Sequence, residues 1–112
     1  MELRDTQRDG VHILRIIGRF DAHEAKRVVS WFDEVVTSPP TRCVIALSEV
    51  EFIDSTALAA LVQGMKRCRQ LHGDVYLCAL SQPVRTVFEL TRLDRAFEIF
   101  AREDEAVTAF LR

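Results

Sequence analysis

The stretch VIALSEVEFIDSTALAALVQGM, residues 44–65, decides how this chain folds. The apolar run Cys43–Leu47 predicts a strand that is buried on both faces. Asp54 predicts the start of a helix, because its carboxylate can accept hydrogen bonds from the unpaired N–H groups of the first turn. The helix would bury a stripe with the spacing i, i+3, i+4, i+7, formed by Leu58, Leu61, Val62 and Met65. Ser55 and Thr56 would then hold two hydroxyl groups at the positive end of this helix, a position that favours a phosphate.

The composition is that of one soluble globular domain. The chain has 112 residues, of which 48% are hydrophobic and 29% are charged, and this suffices for a single hydrophobic core. No apolar run approaches the roughly 20 residues that span a bilayer, and the charged N-terminus MELRDTQRDG is unlike a signal peptide. We therefore expect one domain, residues 1–112, that stays in the cytoplasm without membrane insertion.

Several kinds of functional site find no support in the sequence. The formal net charge is −2 and basic residues are scattered among acidic ones, which argues against direct nucleic-acid binding. Cys43, Cys68 and Cys78 form no C-x-x-C pair, so buried reduced thiols are expected rather than metal ligands. There is no Walker motif and no G-x-G-x-x-G. Ser55 lacks a G-x-S-x-G elbow and has no histidine at a recognisable spacing, so we expect neither an enzyme nor a cofactor.

The first residues predict a β-hairpin. Two short strands, residues 2–7 and 11–17, are joined at Asp9-Gly10, a dipeptide that favours the positive backbone dihedrals of a hairpin turn. The alternation of apolar and polar residues in the second strand predicts one buried face and one solvated face. Residues 18–20 are expected to connect this strand to a helix.

The segment after the hairpin predicts the first helix. Asp21 with Glu24 three residues later is a helix start signal. The apolar stripe of this helix has helical spacing and consists of Ala25, Val28, Val29, Phe32, Val35 and Val36. Trp31 lies off the stripe, which favours packing at the edge of the helix over a contact with a partner. Ser38-Pro39-Pro40 is expected to end the helix in a loop.

The second half of the chain predicts two more strands and two more helices. Gly73 is suited to the left-handed cap of the central helix, and residues 75–80 form a second buried strand, parallel to the first. Ser81 is expected to cap a third helix, whose apolar side is Val84, Val87, Phe88 and Leu90. Residues 97–100 form a short last strand, and Asp104 opens a terminal helix with the stripe Ala106, Val107, Phe110 and Leu111. The order ββαβαβαβα predicts an α/β fold, a mixed β-sheet packed against about four α-helices.

The segment FIDSTAL, residues 52–58, resembles the signature of STAS domains, and especially of bacterial anti-sigma factor antagonists. That pattern is an apolar pair, then Asp, Ser, Ser or Thr, Gly and Leu. Residues 18–21, GRFD, resemble the family's Gly-x-Leu-Asp, and residues 73–84 resemble its last long strand with the turn into the third helix. The resemblance covers almost the whole chain and implies a STAS-like fold. Ala57 stands where the family usually has Gly, and its methyl group is expected to hinder a partner that packs closely there.

The resemblance also implies a function. An anti-sigma factor antagonist in its unphosphorylated form binds an anti-sigma factor that is also a serine kinase, and thereby releases the sigma factor. Phosphorylation of Ser55 would abolish this binding, and a phosphatase would reset the site. ATP and Mg²⁺ would belong to the kinase, so no cofactor of its own is expected. The implied partner-binding residues are Asp21, Asp54, Ser55, Thr56, Ala57 and Leu58.

Other interpretations of the same residues stay open. Motif chemistry alone favours a helix start at Asp54-Ser55-Thr56 and nothing more, because these residue types are common at helix starts. Thr56 is a second candidate for the phosphate acceptor. STAS-like single domains also serve as small subunits of lipid-transport ABC complexes, where the same surface docks on the ATPase without a phosphate. An enzyme with Ser55 as its nucleophile is a third alternative, and no base supports it.

Overall fold

A computed structural model of the chain describes residues 1–37 and 39–112, so Ser38 of the expected helix breaker lies outside the described residues. The described residues confirm the element order that the sequence predicts, ββαβαβαβα. The strands are β1 (Glu2–Arg8), β2 (Val11–Phe20), β3 (Arg42–Ile53), β4 (Asp74–Cys78) and β5 (Glu98–Phe100). The helices are α1 (Ala25–Val35), α2 (Ser55–Gln70), α3 (Gln82–Leu90) and α4 (Glu103–Phe110), with a short 3-10 turn at Leu93–Arg95.

The sheet is mixed and its strands are arranged in chain order, β1-β2-β3-β4-β5. β1 and β2 are antiparallel, whereas β2, β3, β4 and β5 are parallel to one another. This arrangement confirms the predicted hairpin and the predicted parallel pair. Because β3 lies in the centre, Cys43–Leu47 are buried on both faces, as the apolar run indicates.

Helices cover both faces of this sheet. The larger core lies under α1, α2 and α3, and a smaller one joins the opposite face to Ala106 and Val107 of α4. The expectation that one face of β2 is solvated is correct for Arg15 and Arg19, which are exposed, and wrong for Ile13, which is buried beneath α4. The pattern of a strand does not reveal that a helix about 90 residues further along will cover it. Among the described residues, no helix combines the length and the apolar character needed to cross a bilayer.

The hairpin turn has the predicted geometry, but β2 is longer than predicted. Asp9 and Gly10 have φ angles of 55° and 80°, which fit the expected turn. Residues 18–20 are part of β2 rather than a connection, because the pairing with β3 continues to Phe20 and Ile53. Gly18 interrupts the register of this pairing with a φ of 108°, a conformation that favours glycine.

The first helix begins later than predicted and its buried stripe is rotated. Asp21 opens a separate turn, and α1 starts at Ala25, whose N–H donates to the carbonyl of Asp21 at 2.9 Å. Trp31 is 5% exposed and meets the ring of Phe32 edge-on at 5.1 Å, so the expected position at the helix edge is wrong. Val29 is 36% exposed instead, because α1 turns the stripe that contains Trp31 toward the core.

The central helix begins where the sequence predicts and ends in a different geometry. Asp54 is its N-cap and Ser55 its first residue. At the other end His72 takes the left-handed conformation, with a φ of 65°, so the assignment of this role to Gly73 is wrong. Position 73 requires glycine for another reason, because a Cβ there would lie 1.7 Å from the carbonyl oxygen of Thr41. The N–H of Gly73 donates to Cys68 at 2.8 Å, the long bond of a Schellman motif.

The last elements agree with the prediction in type and differ in detail. Ser81 precedes α3, but its hydroxyl donates to the carbonyl of Val50 instead of capping the helix. Leu90 is 79% exposed at the last position of α3, so its assignment to the buried side is wrong. α4 begins at Glu103, one residue before the predicted start, and Leu111 follows the helix as an exposed residue.

Candidate functional site

The candidate site lies at the carboxyl end of β3, where the strand passes directly into α2. Ile53 ends the strand and Ser55 begins the helix, so Asp54 alone connects them. Ser55 and Thr56 are exposed, and Asp54 is half-buried. The structure therefore presents both hydroxyl groups to solvent at a helix N-terminus, as the sequence predicts.

The carboxylate of Asp54 joins two helices. Its Oδ1 accepts from the N–H of Ala57 at 2.9 Å, which caps the first turn of α2. Its Oδ2 accepts from the N–H of Ala22 at 2.7 Å, in the turn that leads into α1. The cap follows from the sequence pattern. The second bond does not, because no local signal relates two segments that are 32 residues apart.

These contacts determine the charge of Asp54. The N–H of Ala57 lowers the pKa of the Asp54 carboxyl group, partial burial opposes this, and the N–H groups of Ala22 and Thr56 and the charge of Arg19 lower it further. Together these effects lower the pKa of Asp54 below its ordinary value. Asp54 is therefore an anion at neutral pH, directly beside the exposed hydroxyl of Ser55.

Asp21 lies next to Asp54, as expected of residues that form one site. The Asp54 N–H donates to the carbonyl of Phe20 at 3.4 Å, and the Ala22 N–H donates to Asp54, so Asp21 stands between these two contacts. The Asp21 carboxylate pairs with Arg19, whose Nε lies 3.1 Å from Oδ2. Sequence reasoning missed Arg19, although it occupies the variable position of the Gly-x-Leu-Asp pattern.

Arg19 connects the two strands that end at the site. Its guanidinium carbon lies 3.6 Å from the centre of the Phe52 ring, a cation–π arrangement. Phe52 is partly exposed on β3, directly opposite Arg19 in the parallel register. Arg19 is thus engaged by the ring on one side and by the carboxylate of Asp21 on the other.

Two of the expected partner-binding residues belong to the core instead. Ala57 is 0% exposed and Leu58 is 7% exposed, since both face the sheet from the first turns of α2. Their side chains are not part of the surface that the chain presents. The expected hindrance of a partner by the Ala57 methyl group is therefore wrong, because this methyl group points into the core.

A groove between α1 and α2 opens beside Thr56, and sequence reasoning did not find it. It has a volume of about 380 Å³. Small and aliphatic side chains dominate the lining, which comprises Ala22, Ala25, Lys26, Val29, Ser30, Thr56, Ala59, Ala60 and Gln63. Beyond it, Arg67 of α2 and Asp33 of α1 form an ion pair at 2.6 Å. Two contacts therefore connect α2 to α1 or to the turn before it, one on either side of the groove. They are the hydrogen bond from Ala22 to Asp54 and the ion pair between Arg67 and Asp33.

The cysteines have the predicted state. Cys43, Cys68 and Cys78 are all buried free thiols. Burial raises the pKa of Cys78 to about 12, and a hydrogen bond with Cys68 together with burial raises the pKa of Cys43. Within the part of the chain that the structure describes, no three His, Cys, Asp or Glu side chains cluster in a way that could hold a metal ion.

Comparison with known proteins places this geometry in a family. Residues 2–106 match the STAS domain. The chain is similar to the anti-sigma-B factor antagonist of Listeria monocytogenes, with 30% identity over 105 residues that cover 94% of this chain and 91% of that protein. It is also similar to the crystal structure of an anti-sigma factor antagonist from Mycobacterium paratuberculosis, with 28% identity, a TM-score of 0.87, and coverage of 99% and 94% of the two chains.

A more distant likeness concerns the fold alone. SpoIIAA of Bacillus in its phosphorylated form has a TM-score of 0.77 at 18% identity, and the alignment covers 99% of this chain and 100% of that one. The match over residues 2–106 and the identity to the Listeria protein extend over almost the whole length of the chain. This chain is therefore a STAS domain and belongs to the bacterial anti-sigma factor antagonist family.

Proposed function

We propose that this chain is an anti-sigma factor antagonist whose binding is controlled by phosphorylation of Ser55. Its unphosphorylated form binds an anti-sigma factor that is also a serine kinase, and this binding releases the sigma factor. Transfer of a phosphate to Ser55 ends the binding, and a phosphatase restores it. The ATP and Mg²⁺ for the transfer belong to the kinase. The chain itself acts as a regulatory binding protein.

The observation that carries this proposal is the position of Ser55. It is exposed and is the first residue of a 16-residue helix, so a kinase can reach its hydroxyl without unfolding the domain. A phosphate there gains about 0.3–1 kcal/mol from the helix dipole and the free N–H groups of the first turn. The cap that holds this turn comes from Asp54 rather than from Ser55, so modification of the serine leaves it in place. SpoIIAA shows that the fold itself exists in a phosphorylated form.

The surroundings of Ser55 explain why the phosphate would prevent binding. Asp54 is already an anion there, and it repels a second negative group. Arg19, the cation whose charge acts on Asp54, is held by Asp21 and Phe52. A partner docked on this surface would have to bury a dianion beside the Asp54 anion, at a cost of several kcal/mol. Such a cost lowers affinity by orders of magnitude without any change of fold.

A comparative pull-down tests the switch. Wild type, Ser55→Ala and Ser55→Asp serve as baits in lysate of the source organism, with Thr108→Ala and Thr108→Asp, at an exposed position of α4 on the other face of the sheet, as matched controls. We expect a kinase-like anti-sigma factor with every bait except Ser55→Asp, and captured proteins are identified by mass spectrometry. Equal capture by Ser55→Ala and Ser55→Asp refutes the switch. Capture of a transporter ATPase by all baits supports the constitutive subunit of an ABC complex instead.

The acceptor residue can be determined with purified components. The captured kinase is incubated with ATP, Mg²⁺ and each variant, and the phosphate is located by fragmentation mass spectrometry. We expect Ser55→Ala to abolish the transfer and Thr56→Ala to leave it intact, because Ser55 occupies the first helical position beside Asp54. A phosphate on Thr56 of the wild-type chain would assign the switch to the second hydroxyl.

A further inference from the structure

The groove between α1 and α2 has the features of a docking surface. It opens at the end of α2 where Ser55 and Thr56 are exposed. Ala25 and Ala60 form a buried floor, and the exposed side chains of Val29 and Ala59 stand on opposite walls. Small side chains on both helices keep the groove open, so an aliphatic side chain from another molecule can enter it.

The charges around the groove favour an acidic occupant. Lys26 is the charged residue of the lining, and within residues 1–37 and 39–112 it takes part in no ion pair. The N-terminus of α2 adds the positive end of its dipole. The carboxylates of Asp54 and Asp33 are engaged, since Asp54 accepts two backbone N–H bonds and Asp33 pairs with Arg67. A carboxylate brought to this surface therefore meets an available cation.

We propose that this groove holds an amphipathic helix of the anti-sigma factor, which inserts an aliphatic side chain between Val29 and Ala59 and places a carboxylate against Lys26. This inference rests on the proposed function and names the chemistry by which the partner is recognised. A small molecule would need several converging polar groups to orient it, and the lining is mostly apolar. A second copy packed symmetrically on the same groove would bring two Lys26 ammonium groups together.

Because the groove opens at the end of α2 that carries Ser55, phosphorylation of Ser55 would also affect recognition of the partner. A phosphate on Ser55 would stand at the end of α2 that borders the groove, close to the acidic occupant. The positive end of the helix, which attracts the partner's carboxylate, would then carry a dianion. The same electrostatic attraction that favours docking before phosphorylation turns into repulsion after it.

The test measures the affinity of the purified kinase-like anti-sigma factor for variants of this chain by isothermal titration calorimetry. Two matched pairs isolate the groove. Ala59→Glu and Ala59→Gln add side chains of equal size and differ in charge. Lys26→Glu and Arg8→Glu make the same charge reversal, but Arg8 lies at the opposite end of the sheet, beside the hairpin turn. All three positions are exposed, and circular dichroism confirms that each variant is folded.

We expect Ala59→Glu and Lys26→Glu to weaken binding roughly tenfold or more, and Ala59→Gln and Arg8→Glu to weaken it much less. Raising the salt concentration should reduce the difference between Lys26→Glu and wild type. If Ser55→Asp abolishes binding while both groove variants bind like wild type, the switch stands and the groove proposal is overturned. If the groove variants lose binding while Ser55→Asp retains it, the groove proposal stands and the switch fails. A dimer in sedimentation that Ala59→Glu dissociates, with unchanged partner affinity, would assign the groove to a second copy and overturn the proposal.

Discussion

The close contact between Gly64 of α2 and Phe32 of α1 gives a sharp test of how the two helices pack. A Cβ on Gly64 would lie 2.3 Å from two carbons of the Phe32 ring, whereas ordinary contact begins at 3.4 Å. The ring cannot move away freely, because Phe32 is buried and Trp31 packs against it at 5.1 Å. Overpacking of this size costs about 3 kcal/mol, and the higher helix propensity of alanine returns about 1 kcal/mol. We therefore expect Gly64→Ala to lower the free energy of unfolding by about 2 kcal/mol.

Urea and thermal unfolding followed by circular dichroism measure this loss, which corresponds to about 8 °C in Tm for a domain of this size. Ala59→Gly is a control for helix propensity, because Ala59 is exposed on the same helix and should lose about 1 kcal/mol. Phe32→Leu combined with Gly64→Ala should be more stable than the sum of the two single changes predicts, by about 1 kcal/mol, since the smaller side chain makes room for the methyl group. A Gly64→Ala variant as stable as wild type would refute this account of the contact between α1 and α2.

Three further predictions concern other parts of the molecule. Gly73→Ala should destabilise the chain more than Gly64→Ala, on the order of 3 kcal/mol or more in urea unfolding, because its Cβ would meet the backbone carbonyl of Thr41 at 1.7 Å and a backbone cannot rotate away. Because the pKa of Asp54 is lowered on folding, its ionised form adds stability above its ordinary pKa of about 4 that is lost as the pH falls through the lowered value. The Tm difference between wild type and Asp54→Asn should accordingly be constant near neutral pH and shrink below about pH 4, and a difference that grows on acidification would contradict the sign. Finally, a thiol reagent at pH 8 should label none of the three buried cysteines of the folded chain, including Cys78, whose pKa is raised. The same reagent should label all three cysteines in urea. Rapid labelling of the folded chain would disprove their burial.

The parts of the fold that sequence patterns predicted are those fixed by neighbouring residues. The buried core of β3, the cap at Asp54 and the turn at Asp9-Gly10 each depend on a few residues in a row, and the structure has all three. The element order follows from the same kind of local signal. The sheet then had to be mixed, because the hairpin is antiparallel and the helical crossovers make their strands parallel.

The wrong predictions concern features that depend on distant parts of the chain. The burial of Trp31 depends on how α1 packs into the larger core, and the cover over Ile13 comes from α4 at the far end of the sequence. His72 takes the left-handed position, and Gly73 is required instead for the close approach of its backbone to Thr41. Within the candidate site, the exposed positions of the Ser55 and Thr56 hydroxyl groups could be predicted from the pattern of the helix start. The groove could not, since it exists only where two helices meet.

The two hydrogen bonds of Asp54 also affect how its motif can be used to recognise function. One oxygen begins α2 and the other holds the turn before α1, so loss of this residue would loosen two segments at once. The fold therefore depends on this aspartate whether or not Ser55 is ever phosphorylated. In the Asp54-Ser55 pair, the first residue has a structural role that the hydrogen bonds show, and the second has the regulatory role that we propose. Under the proposed function, a change at position 55 alone would therefore remove the switch and leave the domain folded.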